Sequence, residues 1–245
     1  MESALPGRTE WRRSSGSVSR LTKNVGPAAY RLDQGKLDMS YIEHDGFLWP
    51  ETDAHCHKVI RDELKDIDKA LAFDGRRGVA VQAGGNVGVW AAYLADLFET
   101  VYTFEPDPDN YHCLTQNVPE NVIHQQAALC NRPGNIRLEV DPKNVGAHYV
   151  NGKGKIPAVT LDSLNLPGCD YLCLDIEGFE PLALQGAEKT IKKHKPLIHL
   201  EEKGLSERYY GIAKGTAEEW LTGLGYSVVK KIRKDIILSC EPVLS

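Results

Sequence analysis

The sequence predicts an α/β protein with a mostly parallel sheet and helices on both faces, and three observations carry that prediction. An apolar run, Val79–Ala83, meets a glycine turn, Gly84-Gly85-Asn86-Val87-Gly88, and a helical pattern follows. A second apolar run, Val101–Phe104, ends in Glu105-Pro106. Strand-like and helix-like stretches then alternate, and the chain closes in two strand-like runs around Arg233-Lys234.

Each element follows from its own residues. Residues 26–75 read as a helical and irregular lead-in or cap. Asp45–Pro50 is a short exposed strand or turn with an aromatic anchor, and His57–Phe73 carries Val59, Ile60, Leu64, Ile67 and Leu71 at helical spacing. From Gly78 the first strand is Val79–Ala83 and its helix is Val89–Phe98. The second strand is Val101–Glu105, with a helix over Asp107–Asn117 that has a proline at its start. A third strand spans Val122–Gln126. Residues 131–160 contain Gly134, Gly146, Gly152 and Gly154 among short strand-like pieces, so they read as an inserted hairpin with loops. A fourth strand covers Asp170–Ile176, a helix Glu180–His194, and a fifth strand Pro196–Leu200. Thr216 caps a helix that stops at Gly223 or Gly225. Tyr226–Ile232 and Asp235–Cys240 form the terminal strand pair. The division is a flexible basic arm over 1–25, the lead-in over 26–75, and the main domain over 76–245.

Composition narrows the function classes. A chain of 245 residues accommodates one α/β domain with an extension. A net charge of −5 argues against bulk binding to nucleic acid or to an anionic membrane. No apolar run reaches the roughly 18 residues of a membrane span. Residues 1–25 are Ser/Arg-rich without an apolar core, so no secretory signal is expected there. The six cysteines show no Cys-x-x-Cys spacing, which suits a reduced, intracellular, cytoplasmic protein. Asp53-Ala-His55-Cys-His57 would set two histidines on one face if extended. No second ligand cluster accompanies it, so it reads as a polar loop or helix cap, and no metal site is expected.

The chemistry centres on the glycine turn. The helix opening near Gly88 would point its free N–H groups at whatever occupies the turn. Glu105 lies twenty-one residues after Gly84, about where an acid receives the ribose hydroxyls in a nucleotide-binding βαβ unit. The run Ala83-Gly-Gly-Asn-x-Gly88 resembles motif I of the S-adenosylmethionine-dependent methyltransferases, and Phe104-Glu105-Pro106 resembles their second motif. Val159-Thr-Leu-Asp-Ser-Leu164, Leu174-Asp-Ile-Glu-Gly-Phe-Glu180, Leu184-Gln-Gly-Ala187, Pro196 and Glu201 extend the likeness. Over about residues 76–205 the chain resembles the FkbM-type O-methyltransferases. The resemblance implies a Rossmann-like class I fold with a seven-stranded, mostly parallel sheet whose last strand is antiparallel. It implies S-adenosylmethionine as cofactor and a hydroxyl of a sugar or similar small molecule as acceptor.

The residues then take expected roles. Gly84, Gly85 and Gly88 allow close approach of the cofactor, Asn86 lies near its carboxylate, Glu105 takes the ribose, and Ala127 and Ala128 flank the adenine. Gln82 stands where the family has an acid that helps hold the methionine end; it keeps hydrogen bonding but supplies no charge. Asp175 and Glu177 follow the fourth strand and share one face if extended. They are the best-placed bases, with His148 in the insert and His199 in an apolar strand as the other candidates. His199 also has the setting of a satisfied core histidine. Two other readings stay open. Asp175, Glu201 and Lys203 offer parts of a Lys-Asp-Lys-Glu set, as in an RNA 2′-O-methyltransferase. Gln82 also suits a non-catalytic relative that keeps the fold.

Overall fold

A computed structural model describes residues 40–240; the basic arm over 1–25 lies outside the described residues. In chain order the elements are β1 (Tyr41–His44), β2 (Phe47–Pro50), α1 (Cys56–Leu71), β3 (Val79–Ala83), α2 (Val89–Ala95), β4 (Thr100–Phe104) and α3 (Pro108–Asn117). Then come β5 (Val122–Gln125), β6 (Ala128–Leu129), β7 (Gly134–Glu139), β8 (Tyr149–Lys153), β9 (Ile156–Val159) and a 3-10 turn over Leu161–Leu164. The rest are β10 (Tyr171–Leu174), α4 (Glu180–Gln185), α5 (Glu188–His194), β11 (Leu197–Glu201), α6 (Leu205–Tyr210), α7 (Thr216–Gly223), β12 (Ser227–Ile232) and β13 (Asp235–Ser239).

Seven strands form the central sheet in the order β12-β13-β11-β10-β3-β4-β5. The five from β11 to β5 pair in parallel, and β13 runs antiparallel between β11 and β12. This is the sheet the sequence predicted. The order reverses between β3 and β10, which opens a crevice beyond their carboxyl ends.

Strand alternation separates two cores. Ala80, Val101, Tyr171, Cys173 and Leu197 face α1, α2 and α3, while Val81, Leu172, Leu174, Ile198 and Leu200 face α4, α5 and α7. The amphipathic α1 buries Ile60, Ile67, Ala70 and Leu71. Its start is fixed by Asp53, whose carboxylate accepts the amides of His55, Cys56 and His57 at 3.3, 3.0 and 2.9 Å. The Asp-x-His-x-His stretch is thus a helix cap, one of the two readings the sequence left for it. Trp49, the anchor of the hairpin before it, is buried rather than exposed.

Several boundaries differ from expectation for local steric reasons. The helix expected over Glu180–His194 is two helices. At the break, a Cβ on Gly186 would stand 1.9 Å from the carbonyl oxygen of Cys130, so the backbone entering the insert crosses the helix there. Strand β10 ends at Leu174, two residues early, because Glu177 adopts φ 54° in a turn. Gly215, with φ 87°, caps α7, and Thr216 is its first helical residue. Helix α6 had no counterpart in the sequence reading. The insert is more than a hairpin: β6, β9, β7 and β8 make a four-stranded sheet of their own. Among the described residues no helix is long and apolar enough to cross a membrane, and all six cysteines are free thiols.

Candidate active site

The crevice at the strand reversal is the main cleft. Beyond the carboxyl ends of β3, β4 and β10 it holds about 1130 Å³ of empty space, counting the solvent at its mouth. Gly84, Gly85, Asn86, Glu105, Ala127, Ala128, His148, Asp175 and Glu177 all line it. Helix α1 forms one wall through Cys56, Val59, Ile60 and Glu63, and the insert forms another through Leu138, Val145, His148 and Val150.

At one end of the cleft stands Glu105. It is buried, and Oε2 accepts the Asn86 amide at 2.7 Å while Oε1 accepts the Asp107 amide at 2.8 Å. Each oxygen retains acceptor capacity for a ligand hydroxyl. Burial is the main cause that pushes its carboxyl up to about 8; the Asp107 charge adds to this, and the two amides and His148 oppose it. The small Ala127 and Ala128 add apolar surface to the cleft lining. Trp90 also lines the cleft, and its buried Nε1 has no hydrogen-bond partner among the described residues. A buried acid with free acceptor capacity, an apolar surface and an orphaned donor suit an adenosine-bearing cofactor.

The glycine turn works differently from expectation. The amides of Gly84 and Gly85 both donate to the Phe104 carbonyl, at 3.1 and 2.9 Å, and that of Gly88 to Gly85 at 2.8 Å. Asn86 donates to Glu105, and the Val87 amide to Asn86 Oδ1 at 2.6 Å. The turn's own N–H groups are therefore used within the protein. Its tightness serves packing. A Cβ on Gly85 would lie 2.7 Å from Leu114 and one on Gly88 2.8 Å from Val118, both on the α3 side.

Three expected site residues lie off the cleft. Gly88 faces α3. Gln82 is buried in the sheet, in register with Thr103 on one side and Cys173 on the other. Its Oε1 accepts from Thr103 Oγ1 and its Nε2 donates to the Gly84 carbonyl at 2.7 Å. Strand alternation turns the side chain into the sheet's helix-covered face, away from the cleft lining. His199 continues the same row beside Cys173. Its Nδ1 lies 2.7 Å from the Tyr171 hydroxyl and its Nε2 3.2 Å from Asp235. It is a satisfied core histidine without access to a substrate.

The other end of the cleft is densely charged. Asp175, Glu177 and Glu201 bring one carboxylate oxygen each within 4.8 Å of one another. Lys203 and Lys234 converge on Oε1 of Glu201 at 2.7 and 2.6 Å; Lys203 also reaches Glu177, and Lys234 reaches Glu63, at 3.4 Å each. The three acids are the donor set of a hard cation, but Glu201 is already paired with both ammonium groups and Glu177 with one of them. Burial, then the charge of Glu201, raises the Asp175 carboxyl well above its ordinary range, with Lys234 and Lys203 pulling the other way. Burial likewise raises Glu177, against Lys203. Asp175 and Glu177 do meet, across a turn rather than along an extended strand. Sequence reasoning missed Lys234 and Glu63, which reach the site from the terminal hairpin and α1; neither carries a local motif.

His148 sits by Asp107, at the Glu105 end. Burial would lower its basicity, but the Asp107 carboxylate 3.4 Å away outweighs that and raises it.

Comparison with known proteins places this cleft in a lineage. The model of a family described as the methyltransferase FkbM domain matches residues 82–228. The hexuronic acid methyltransferase AglP of Haloferax volcanii is 29% identical over 143 residues, which are 54% of this chain and 59% of that protein. The chain thus matches less than two thirds of that relative's length. Among solved structures, the methyltransferase FkbM of Methylobacillus flagellatus is similar at TM-score 0.42 and 18% identity, over 66% of this chain and 42% of that one. The magnesium protoporphyrin IX methyltransferase of Synechocystis, solved with bound S-adenosylmethionine, is similar at 0.46 and 15%, over 77% and 85%.

Proposed function

The chain belongs to the methyltransferase FkbM family, and we propose that it transfers a methyl group from S-adenosylmethionine to a hydroxyl of a sugar or similar small molecule. The observation that carries this reading is the pairing, in one cleft, of Glu105 at one end with the Asp175 cluster at the other. The relative whose name gives a hexuronic acid as its substrate class supports a sugar acceptor.

S-adenosylmethionine supplies an electrophilic methyl on its sulfonium. Glu105 would hold the ribose hydroxyls, Asn86 would lie by the amino-acid moiety, and Ala127 and Ala128 would flank the adenine. Lys203 and Lys234 orient the oxygens of the acceptor by charge-assisted hydrogen bonds. Asp175 would take the proton of the acceptor hydroxyl, while the methyl group exchanges its bond to sulfur for one to that oxygen and S-adenosylhomocysteine is the leaving group. The raised proton affinity of Asp175 suits that role, since a base works best when its pKa approaches the working pH. Glu177, tied to Lys203, orients the acceptor.

A second reading rests on Lys203, Asp175, Lys234 and Glu201. They converge into a Lys-Asp-Lys-Glu constellation, which suits methylation of an RNA 2′-hydroxyl. The acidic balance of the chain favours the first reading.

The test has two stages. S-adenosylhomocysteine should raise the melting temperature, and NAD should not; no shift at millimolar S-adenosylhomocysteine would sink the cofactor assignment and leave a non-catalytic relative. Methyl transfer from labelled cofactor to sugars, hexuronic acids, hydroxylated metabolites and capped RNA then separates the two enzyme readings.

A further inference from the structure

Within the insert, the loop over residues 141–148 reaches Glu105 by way of Asp107. Asp107 commits Oδ1 to capping α3, accepting the amides of Asp109 and Asn110 at 3.0 Å each. Its Oδ2 faces Nδ1 of His148 at 3.4 Å. The Asp107 amide donates to Glu105 Oε1, and Glu105 Oε2 accepts from Asn86. One unbroken run of contacts thus joins His148, Asp107, Glu105 and the glycine turn. The same loop is fastened at three more points: Asn110 Nδ2 donates to the Val145 carbonyl at 2.8 Å, Cys56 Sγ donates to Asn144 Oδ1 at 3.1 Å, and the Ala54 amide donates to the Lys143 carbonyl at 3.1 Å.

The charges divide in the same way. Those acting on His148 come from Asp107 and Glu105, whereas those acting on Asp175 come from Glu201, Lys234, Lys203 and Glu177. We propose that His148 and Asp107 are positioning residues for the cofactor, acting through Glu105, and that the loop over residues 141–148 belongs to the cofactor site rather than to the acceptor site. This rests on the methyltransferase reading above.

The physical reason is charge balance around a buried acid. Glu105 grips two ribose hydroxyls best as a carboxylate, since the neutral acid must turn one oxygen into a donor and give up an amide. The charged groups that face it are Asp107, at the start of α3, and His148, from the insert; the glycine turn offers only the Asn86 amide. Asp107 alone disfavours a second negative charge beside it. A protonated His148 offsets Asp107 and eases the ionisation of Glu105, whose carboxyl burial holds up at about 8. Above the pH at which His148 loses its proton this help is gone, but Glu105 is then ionised by the pH itself.

The experiment is a calorimetric titration of the full chain with S-adenosylhomocysteine from pH 6 to 9. It compares wild type, His148→Gln, Asp107→Asn and the double variant. Asparagine keeps the cap on α3. The expected result for His148→Gln is affinity about tenfold weaker near pH 7, converging on wild type as pH rises, with turnover at saturating cofactor changed less than about threefold. In the Asp107→Asn background the same substitution should cost less than about threefold, because the charge it cancels is absent. A deficit constant with pH, equal deficits in both backgrounds, or unchanged affinity with turnover lost at saturating cofactor would each overturn the proposal. Wild type that fails to bind would overturn the methyltransferase reading as well.

Discussion

Gly84 lies so close to the neighbouring strand end that a Cβ on it would stand 1.9 Å from the carbonyl oxygen of Asp175. Its φ of 83° is also one that side chains disfavour. The glycine turn and the carboxylate cluster therefore share one packed backbone contact. Gly84→Ala should cost about 3 kcal/mol or more of stability, measured by the urea midpoint, because neither backbone can yield freely. Gly46→Ala is the control: φ is the same, 83°, but nothing lies within 4 Å of its Cβ position. It should cost only about 1 kcal/mol. Equal costs would mean that the close approach to Asp175 is relieved by an easy shift.

Gln82 supplies the second test. The amide holds Thr103 and the Gly84 carbonyl at once. Gln82→Glu restores the acid usual in the family but removes the donor and sets a buried carboxylate against a carbonyl. The expected outcome is a loss of about 1–3 kcal/mol of stability and no gain in affinity for S-adenosylhomocysteine. Tighter binding in calorimetry would show that residue 82 reaches the cofactor after all.

What could be read in advance follows the range of the interactions. The strand–turn–strand unit that delivers Glu105 is local, and β3 was placed to the residue because a continuous apolar run ends in glycines. The buried strands of a parallel sheet advertise themselves in the same way. The charged end of the cleft is assembled from α1, β10, β11 and the β12–β13 turn, so Lys234 and Glu63 carry no periodic or motif signal. Gln82 shows the converse. Its place in the motif suggested contact with the ligand, but strand alternation and the β4 register direct the side chain to Thr103. The break at Gly186 was hidden because it depends on where the insert's backbone crosses.

Asp175→Asn tests the chemistry at the acceptor end. The backbone contacts of Asp175, including its amide to the Ala83 carbonyl at 3.2 Å, survive the change. Fold and cofactor affinity should persist, and turnover should fall about 10²–10⁴-fold, the range for removing a general base. Glu177→Gln should cost less, since Glu177 stands off on Lys203. Full activity in Asp175→Asn would exclude it as the base; with His199 sealed in the core and His148 beside Asp107 at the Glu105 end, the role would pass to Glu177.

Glu180 sets the last expectation, on pH. Its Oε1 accepts the amides of Ile176 and Gly178, at 3.0 and 3.3 Å, and so holds the turn that presents Glu177. Burial is the main cause that pushes its carboxyl up to about 8, with those amides opposing. An unfolded glutamate titrates near 4.3. Between about 4.3 and 8 the folded chain thus keeps a proton that the unfolded chain has released, and stability falls as pH rises through that window. Glutamine keeps the accepting oxygen and removes the titration. Glu180→Gln should match wild type below about pH 4 and exceed it by about 1–3 kcal/mol at pH 8. Urea unfolding across the range checks this. Glu105 titrates in the same window, so the variant should reduce the slope rather than abolish it. A difference that does not grow with pH would show that Glu180 is ionised in the folded chain throughout.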